Sequence, residues 1–538
     1  MSIFDVAMVG RLGSEALAAT GMGGMLVWAP MSIALGIRTA VQTISSRRLG
    51  QKKKVESSMA FHNGLIMATA FAFPVTLIGW AYADKIVPLF LDDQKTVSLA
   101  IEYTSVAFIS LLFSVYSFVF VGFYTGIEKT KTHMTVTITS NVINLYLNAA
   151  LIYGSEGVEL FFRETLPSLS FLKMAWGWTH FPAMGVKGAA LATLVASFWM
   201  VVHYGFYLFS KELKTNFKVF SFSFNKEMMI KQLLLAVPMG VQECIIAFGW
   251  TFFLKVVGII GVVELATTHI IFTIMHASFM PAMGIGMACS TLVSKYMGEQ
   301  KINKSVASIK ESVRLAEYGM GTLGVSFILF PEFYLSLFTN DLYIIKMGID
   351  GLRVVGALQF LDAIGFVLMF ALIGAGNTVF PAVVESVLTW FVVVLGTYVF
   401  GVVLELGFVV PWFLFPIHMS LFAGIMVWKV RKGDWKLIKY FEDGKNELYN
   451  LKNDIGEKLD VFDQNPEVGA ILKNTLEEWL ILTNAKIPEV DPIHDENKEK
   501  EWLRKHKIKV KEMVEKRRIN ELEQDYEPNI DWWGSLVD

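Results

Sequence analysis

Val9-Gly10-Arg11-Leu12-Gly13-Ser14-Glu15-Ala16-Leu17-Ala18 and Val257-Gly258-Ile259-Ile260-Gly261-Val262-Val263-Glu264-Leu265-Ala266 carry one pattern at an offset of 248 residues. The same offset pairs Gly36 with Gly284, Ile37 with Ile285, Thr43 with Thr291, Ser46 with Ser294 and Gly50 with Gly298. It continues without a gap through Leu89-Phe90 and Leu337-Phe338, Phe118-Val119 and Phe366-Val367, Gly126 and Gly374, Thr130 and Thr378. One such match is weak, but an unbroken register of this length marks a duplication.

The repeated stretches are apolar. The chain has 538 residues, 54% of them hydrophobic, against roughly 45–50% for an average soluble domain. The excess lies before about residue 430, in blocks near the ~20 residues that a bilayer span requires. The blocks predict a stub at 1–13 and spans at 22–46, 58–82, 101–126, 134–154, 186–209, 232–257, 266–294, 312–331, 347–373, 381–404 and 408–430. An all-α, polytopic membrane protein is therefore expected, built from two six-helix repeats. An even number of spans per repeat gives both the same orientation, and parallel repeats place a site between them near the midplane.

The expected organisation is a first lobe over 1–210, with an insertion at 155–185, a linker over 211–231, a second lobe over 232–430 and a polar tail over 431–538. One set of linkers is basic: Arg47 to Lys54, Lys129 with Lys131, Lys211 to Lys231, Lys295 to Lys304, and Arg431 with Lys432. The other set holds Asp84, Asp92, Asp93, Glu156, Glu159, Glu264, Glu332, Asp341 and Glu405. The positive-inside rule makes the basic set and the tail cytoplasmic, in the plasma membrane or, for a Gram-negative cell, the inner membrane.

Two features break the repeat. Met1 pairs with Gly249, yet the second copy runs from Lys231 to Phe248 before that point. Most of a first span is expected to be encoded upstream of Met1. The insertion at 155–185 carries Phe161, Phe162, Trp176, Trp178 and Phe181, as an aromatic hairpin at headgroup level would, or a lid over the outer mouth.

Asp5-Val6-Ala7-Met8-Val9-Gly10-Arg11-Leu12-Gly13, followed by Ala16 to Ala19, resembles the first-helix motif of MATE (multidrug and toxin extrusion) transporters. Ser46-Arg47-Arg48-Leu49-Gly50, Gly185 to Thr193 and Gly374-Ala375-Gly376-Asn377-Thr378 resemble three further motifs of that family, in its order. The resemblance spans roughly 1 to 430. It implies a V-shaped bundle of two lobes that exports organic cations and other amphiphiles against entering protons or sodium ions. Lipid-linked precursor flippases of the same superfamily, and a non-transporting scaffold acting through the tail, are the alternatives.

Ionisable groups at membrane depth are costly and mark functional candidates. Asp5 matches the family's cation-site aspartate in the first lobe. Asn144 and Asn148, spaced i and i+4, share one helix face, and Thr193 matches the family's hydroxyl ligand. Many members have aspartate where this chain has Asn148, which leaves Asp5 the one carboxylate there. In the second lobe Asp362 resembles the cation aspartate of the sodium-coupled branch, with Gln242 and Glu243 as possible partners. Arg38 and Glu385 either line the cavity or lie toward helix ends, and Arg38 has Asp5 as one possible partner. Gln42, Met275 and His276 complete the cavity candidates, flexible methionine suiting a promiscuous pocket or plain packing. Oxygen-rich side chains suit hard cations.

No phosphate loop, zinc motif or nucleophile elbow occurs, so neither ATP-driven transport nor enzyme chemistry is expected. Nor are a cofactor beyond the coupling ion, a metal centre or a nucleic-acid partner. The partners expected are a small-molecule substrate, the bilayer and, for the tail, a cytoplasmic protein, with the chain acting as a monomer. The tail predicts a charged helix over Glu501 to Gln524, and its tryptophans argue against complete disorder.

Overall fold

The computed structural model describes residues 3–91, 93–164, 174, 176, 180–339, 341–431, 435–441, 445–450, 459–482 and 485. Its long helices are α1 (Ile3–Gly10), α2 (Ser14–Gly50), α3 (Lys54–Ala81), α4 (Gln94–Gly126), α5 (Thr130–Glu164) and α6 (Gly185–Leu208). The second set is α7 (Lys226–Ile260), α8 (Val262–Gly298), α9 (Ile302–Leu329), α10 (Leu342–Gly374), α11 (Val379–Leu388) and α12 (Val409–Arg431). Among the described residues, ten helices are long and apolar enough to cross a membrane, and the chain is a multi-pass membrane protein. The expected span at 312–331 is absent from that set. The helix is there, as α9, but Lys304, Lys310, Glu311, Arg314 and Glu317 dilute its apolar run.

The bounds of α8, α9 and α10 are those of α2, α3 and α4 displaced by 248 residues. The turns between them recur as well. Lys52 and Gln300 both take left-handed backbone, at φ 62° and 56°, and Glu128 and Gly376 do so at 63° and 92°. The amide of the following residue then donates to the carbonyl five residues back, Lys53 to Arg48 at 2.9 Å and Lys301 to Tyr296 at 2.8 Å. Asp93 caps α4 through the Thr96 amide and Asp341 caps α10 through the Tyr343 amide, each at 2.8 Å. Such caps satisfy donors that the first turn leaves orphaned. The Thr96 hydroxyl and amide also hold the Asp93 carboxyl below its ordinary range.

The two halves meet along α2, α7 and α8. Helix α7 lies across the first half, where a Cβ on Gly36 would stand 2.0 Å from the Ala236 carbonyl and one on Gly240 would stand 2.4 Å from that of Ile33. Glycine is required for backbones to approach this closely. Gln232 donates to the Ala60 carbonyl at 2.8 Å and Asn63 to that of Asn225 at 2.9 Å, fixing α7 on α3. The preceding linker is bound too: Phe217 and Val219 are buried, and their carbonyls meet Ser58 at 2.6 Å and His62 at 2.7 Å.

Among the described residues, nothing covers the corresponding face of the second half. Nothing approaches a Cβ on Gly284 within 4 Å. A groove of about 640 Å³ runs between α8 and α9 there, lined by Pro281, Gly284, Ala288, Ala307 and Ser308 among others.

At the basic-linker end the halves are latched by reciprocal bonds. Ser46 donates to the Thr291 carbonyl at 2.5 Å, and Ser294 to that of Thr43 at 2.7 Å. A Cβ on Gly50 would stand 2.1 Å from the Lys295 carbonyl, and one on Gly298 would stand 2.3 Å from that of Arg47. Arg47 reaches the Gly374 carbonyl at 3.2 Å, and Lys295 pairs with Glu128 at 2.8 Å. Toward the other end of α2, Met25 and Trp28 are exposed.

Helix α5 breaks at Gly154, where φ is 73° and ψ is 172°. Beyond it the chain returns to α5: Trp176 donates to the Tyr146 carbonyl at 3.0 Å and stacks on that ring at 5.1 Å. Trp178 and the side chains of Phe161 and Phe162 lie outside the described residues. Helix α11 continues as π-helix over Thr389–Leu395 and Thr397–Val403.

Residues from Trp428 onward form a separate unit. It pairs β1 (Trp435–Lys439) with β2 (Asn446–Asn450) in an antiparallel hairpin and adds α13 (Pro466–Leu482). Leu448 is fully buried there, and Lys439 pairs with Glu477 at 2.9 Å. The helix expected over Glu501 to Gln524 lies outside the described residues.

Candidate functional site

Helices α1, α5 and α6 bring the four first-half candidates into one chain of hydrogen bonds. Asp5 is buried and accepts from the Asn148 amide. The same amide donates to Asn144 Oδ1 at 3.1 Å, and Asn144 Nδ2 reaches Thr193 Oγ1 at 3.5 Å. Asn148 Oδ1 is buried without a hydrogen-bond partner. Tyr153 holds the end of α1 by donating to the Met8 carbonyl at 2.5 Å. A carboxylate, two side-chain amides and a hydroxyl are thus joined in one polar chain, and oxygens of these types can take a proton or a hard monovalent cation.

The second half has a different pattern. Asp362 is 2% exposed and its Oδ1 has no hydrogen-bond partner. Gln359, one turn earlier on α10, accepts from Ser278 at 3.1 Å while its amide nitrogen is unsatisfied. Gln242 does not bond to Asp362; its amide donates to Glu385 on α11. Glu243 interacts electrostatically with Arg38 and with Glu385, and Glu385 in turn with Asp362. His418 on α12 is buried with neither ring nitrogen bonded. Among the described residues, no three acidic, histidine or cysteine side chains come together closely enough to hold a metal ion.

Arg38 thus faces Glu243, Tyr204 and the Met287 sulfur rather than Asp5. Gln42 is committed to joining the halves, donating at 2.9 Å to both the Met287 carbonyl and Thr291 Oγ1. Met275 packs in the second-half core with Phe253, Ile271 and Phe415, whereas the neighbouring His276 is exposed. The pairing of Gln242 with Glu385 is the contact the sequence reading missed. The available clue was a lone acid in the apolar span of α11.

This fold, with polar clusters buried among apolar spans, defines a polytopic helical membrane protein. A family profile described as MatE matches residues 1–150 and 238–399. The chain belongs to the MatE family, whose members are transporters. It is 26% identical over 392 residues to a probable multidrug resistance protein NorM of Thermotoga maritima, covering 72% of this chain and 78% of the relative. To the protein of that name from Pseudomonas putida it is 22% identical, over 77% of this chain and 86% of the relative. Among solved structures, an outward-facing multidrug resistance MATE family transporter of the MOP superfamily superposes with a TM-score of 0.70 at 20% identity, over 80% of this chain and 90% of that one. A MOP superfamily transporter from Pyrococcus furiosus, whose binding pocket is described as reversed in polarity, gives 0.69 at 20% identity, over 80% and 90%. These likenesses establish the fold.

Proposed function

We propose that the chain is a secondary active exporter that moves amphiphilic organic cations outward in exchange for entering protons or sodium ions. The observation that carries this reading is the Asp5–Asn148–Asn144–Thr193 chain, which links a buried carboxylate to amides and a hydroxyl on three helices of one lobe. With the basic linkers taken as cytoplasmic, the serine latch closes the cytoplasmic side and the conformation faces outward. A cation arriving at Asp5 from outside neutralises the carboxylate and re-forms the α1–α5–α6 contacts around it. That change biases the lobe toward releasing substrate and then toward reclosing. One elementary charge crossing 100 mV supplies about 2.3 kcal/mol, roughly a fiftyfold gradient. The acid-rich second half favours a cationic substrate over an anionic lipid precursor, and Arg38 is already engaged with Glu243. In this reading the tail is cytoplasmic and the transporter sits in the plasma or inner membrane.

The test is ethidium efflux from cells lacking their own pumps, under imposed proton or sodium gradients. Efflux should follow one of the two gradients and drop at least about tenfold in Asp5→Asn, the loss expected when at least ~1.4 kcal/mol of coupling disappears. Efflux indifferent to both gradients, or unchanged in Asp5→Asn, would overturn the reading.

A further inference from the structure

Helix α5 carries more polar residues than its contact with Asp5 uses. His133, Thr137, Asn141, Asn144 and Asn148 follow one another every third or fourth residue, so they share one face. The flank of that face is apolar and exposed, with Met134, Ile138, Val142 and Leu145 where lipid would meet the helix. Asn141 is exposed as well. A polar row inside a span belongs against the bundle interior or a water-filled cavity, and such rows mark ion and proton paths. At about 1.5 Å per residue, the row from Asn148 to His133 covers about 22 Å, most of a bilayer core. Packing of α5 on α6 does not account for it. That contact is served by Ser140, beside the row, which donates to the Ala196 carbonyl at 2.9 Å. Asn141 instead turns back to the Thr137 carbonyl of its own helix, at 3.0 Å.

One end of the row is the Asp5 cluster. Below it, α6 presents Thr193, Ser197 and Tyr204 on one face, and Ser114 of α4 reaches the Ser197 hydroxyl at 3.4 Å. The other end is His133. Its Nδ1 lies 2.7 Å from the Tyr204 hydroxyl and 3.3 Å from that of Thr137. Tyr204 is fully buried and pinned, its ring stacked on Phe120 at 5.4 Å and on Tyr124 at 5.5 Å. The Tyr124 hydroxyl donates to the Tyr204 carbonyl at 3.0 Å. His133 is half-buried, one turn from Lys129, which pairs with Glu212 in the basic linkers at 2.8 Å. The imidazole thus stands between the polar row and the basic-linker end.

The residues past Asn144 decide what can travel. They are an amide, a hydroxyl, a phenol and an imidazole, with no carboxylate in the row to hold a hard cation such as sodium. Histidine can take a proton on one ring nitrogen and give one up from the other. We propose that this face of α5 is the inward proton route of the first lobe, with His133 as its last carrier, so that the coupling ion is a proton. The proposal rests on the exporter reading above. An O–H bond breaks at the Asp5 carboxyl, the proton passes through water ordered by the amides and hydroxyls, and an N–H bond forms at His133 Nδ1. The Nε2 proton then goes to water at the basic-linker end, which leaves the imidazole neutral again. Each bond to hydrogen that breaks is matched by one that forms, and no electron is transferred. The titratable groups facing His133 are Tyr204 of α6 and Arg38 of α2, with Tyr124 of α4 behind Tyr204.

Inside-out membrane vesicles test the route, because their external solution is the cytoplasmic side. An acidic lumen should drive ethidium uptake, and a sodium gradient should not. His133→Gln keeps a polar side chain that cannot change charge. Its maximal uptake rate should fall at least about tenfold, the scale of a lost proton carrier. The half-saturating ethidium concentration should stay unchanged, which also shows that the variant is folded. His133→Glu, able to carry a proton again, should recover a large part of the loss, whereas a packing contact would not be restored. Asn141→Leu, at an exposed position, should slow uptake several-fold while leaving His133 in place. A wild-type rate in His133→Gln or in Asn141→Leu would overturn the route. Uptake driven by sodium alone would also overturn it and leave the exporter reading standing. If the wild type takes up no ethidium under either gradient, the exporter reading fails and the route falls with it.

Discussion

The faces of α2/α3 and α8/α9 descend from one pattern, yet among the described residues they meet different neighbours. On α2/α3 the first half of α7 lies so close that Gly36 admits no side chain, and the amides of Gln232 and Asn63 stitch the helices together. On α8/α9 the matching Gly284 looks into open space, and Ala307 and Ser308 line a groove where α3 has Met59 and Ala60. Gly36 is thus held as glycine by the α7 backbone that crosses it. The polar clusters differ in a similar way. The first half joins Asp5 through Asn148 and Asn144 to Thr193, whereas the second gathers three acids around Gln242, and each cluster leaves a buried acceptor unpaired.

The sharpest way to break this comparison is at the paired glycines. Gly36→Ala should destabilise by about 1–3 kcal/mol, as overpacking does, because the Ala236 carbonyl stands where the methyl must go. Gly240→Ala, on the other side of the same crossing, should cost a similar amount, because the Ile33 carbonyl stands where its methyl must go. Thermal unfolding in detergent checks both, and an unchanged midpoint in either variant would show that the α2–α7 crossing is not backbone-tight.

The latch offers a test in the opposite sense, since there the halves are reciprocal. Ser46→Ala and Ser294→Ala each remove one hydroxyl bond, worth about 1 kcal/mol. Both should raise amide hydrogen exchange at the ends of α2 and α8 by a similar factor of about five. A large effect from one serine and none from the other would mean that the latch is one-sided.

The smallest effect is expected at Lys295, whose partner Glu128 is partly exposed. Lys295→Gln should cost less than about 1 kcal/mol, and the difference from wild type should fade as salt is raised. An effect that persists at high salt would place Lys295 in the close contact beside Gly50 rather than in an ion pair.

Much of this architecture can be read from the residues because it depends on periodic, local information. The spans follow from apolar run length, and the offset at Gly50 and Gly298 reappears in helix bounds and left-handed turns. Asn144 and Asn148 are on one face because helical spacing puts them there. Relations between distant helices were less legible. Gln42 looked like a cavity residue, but it bonds to α8, and nothing in its own span says which neighbour it will meet. Gln242 bonds to Glu385, 143 residues away, a pairing that no periodicity in either span announces. Adjacent Met275 and His276 take opposite environments because one helix position separates core from surface. The π-helical continuation of α11 has no periodic signature, since its residues are as apolar as those of a regular span. In the polar region after 431, the β-hairpin rests on short alternating runs that charge obscures.

The two serine bonds at the basic-linker end also have a kinetic meaning. Both are hydroxyls donating to backbone carbonyls, so they carry no net charge and ionic strength does not reach them. Together they contribute about 2 kcal/mol, roughly a thirtyfold preference for the shut state. Those bonds alone would leave a few per cent of resting molecules unlatched. Any further hold at this end comes from the glycine-tight crossing of Gly50 and Gly298, and from Arg47 on the Gly374 carbonyl, rather than from the hydroxyls.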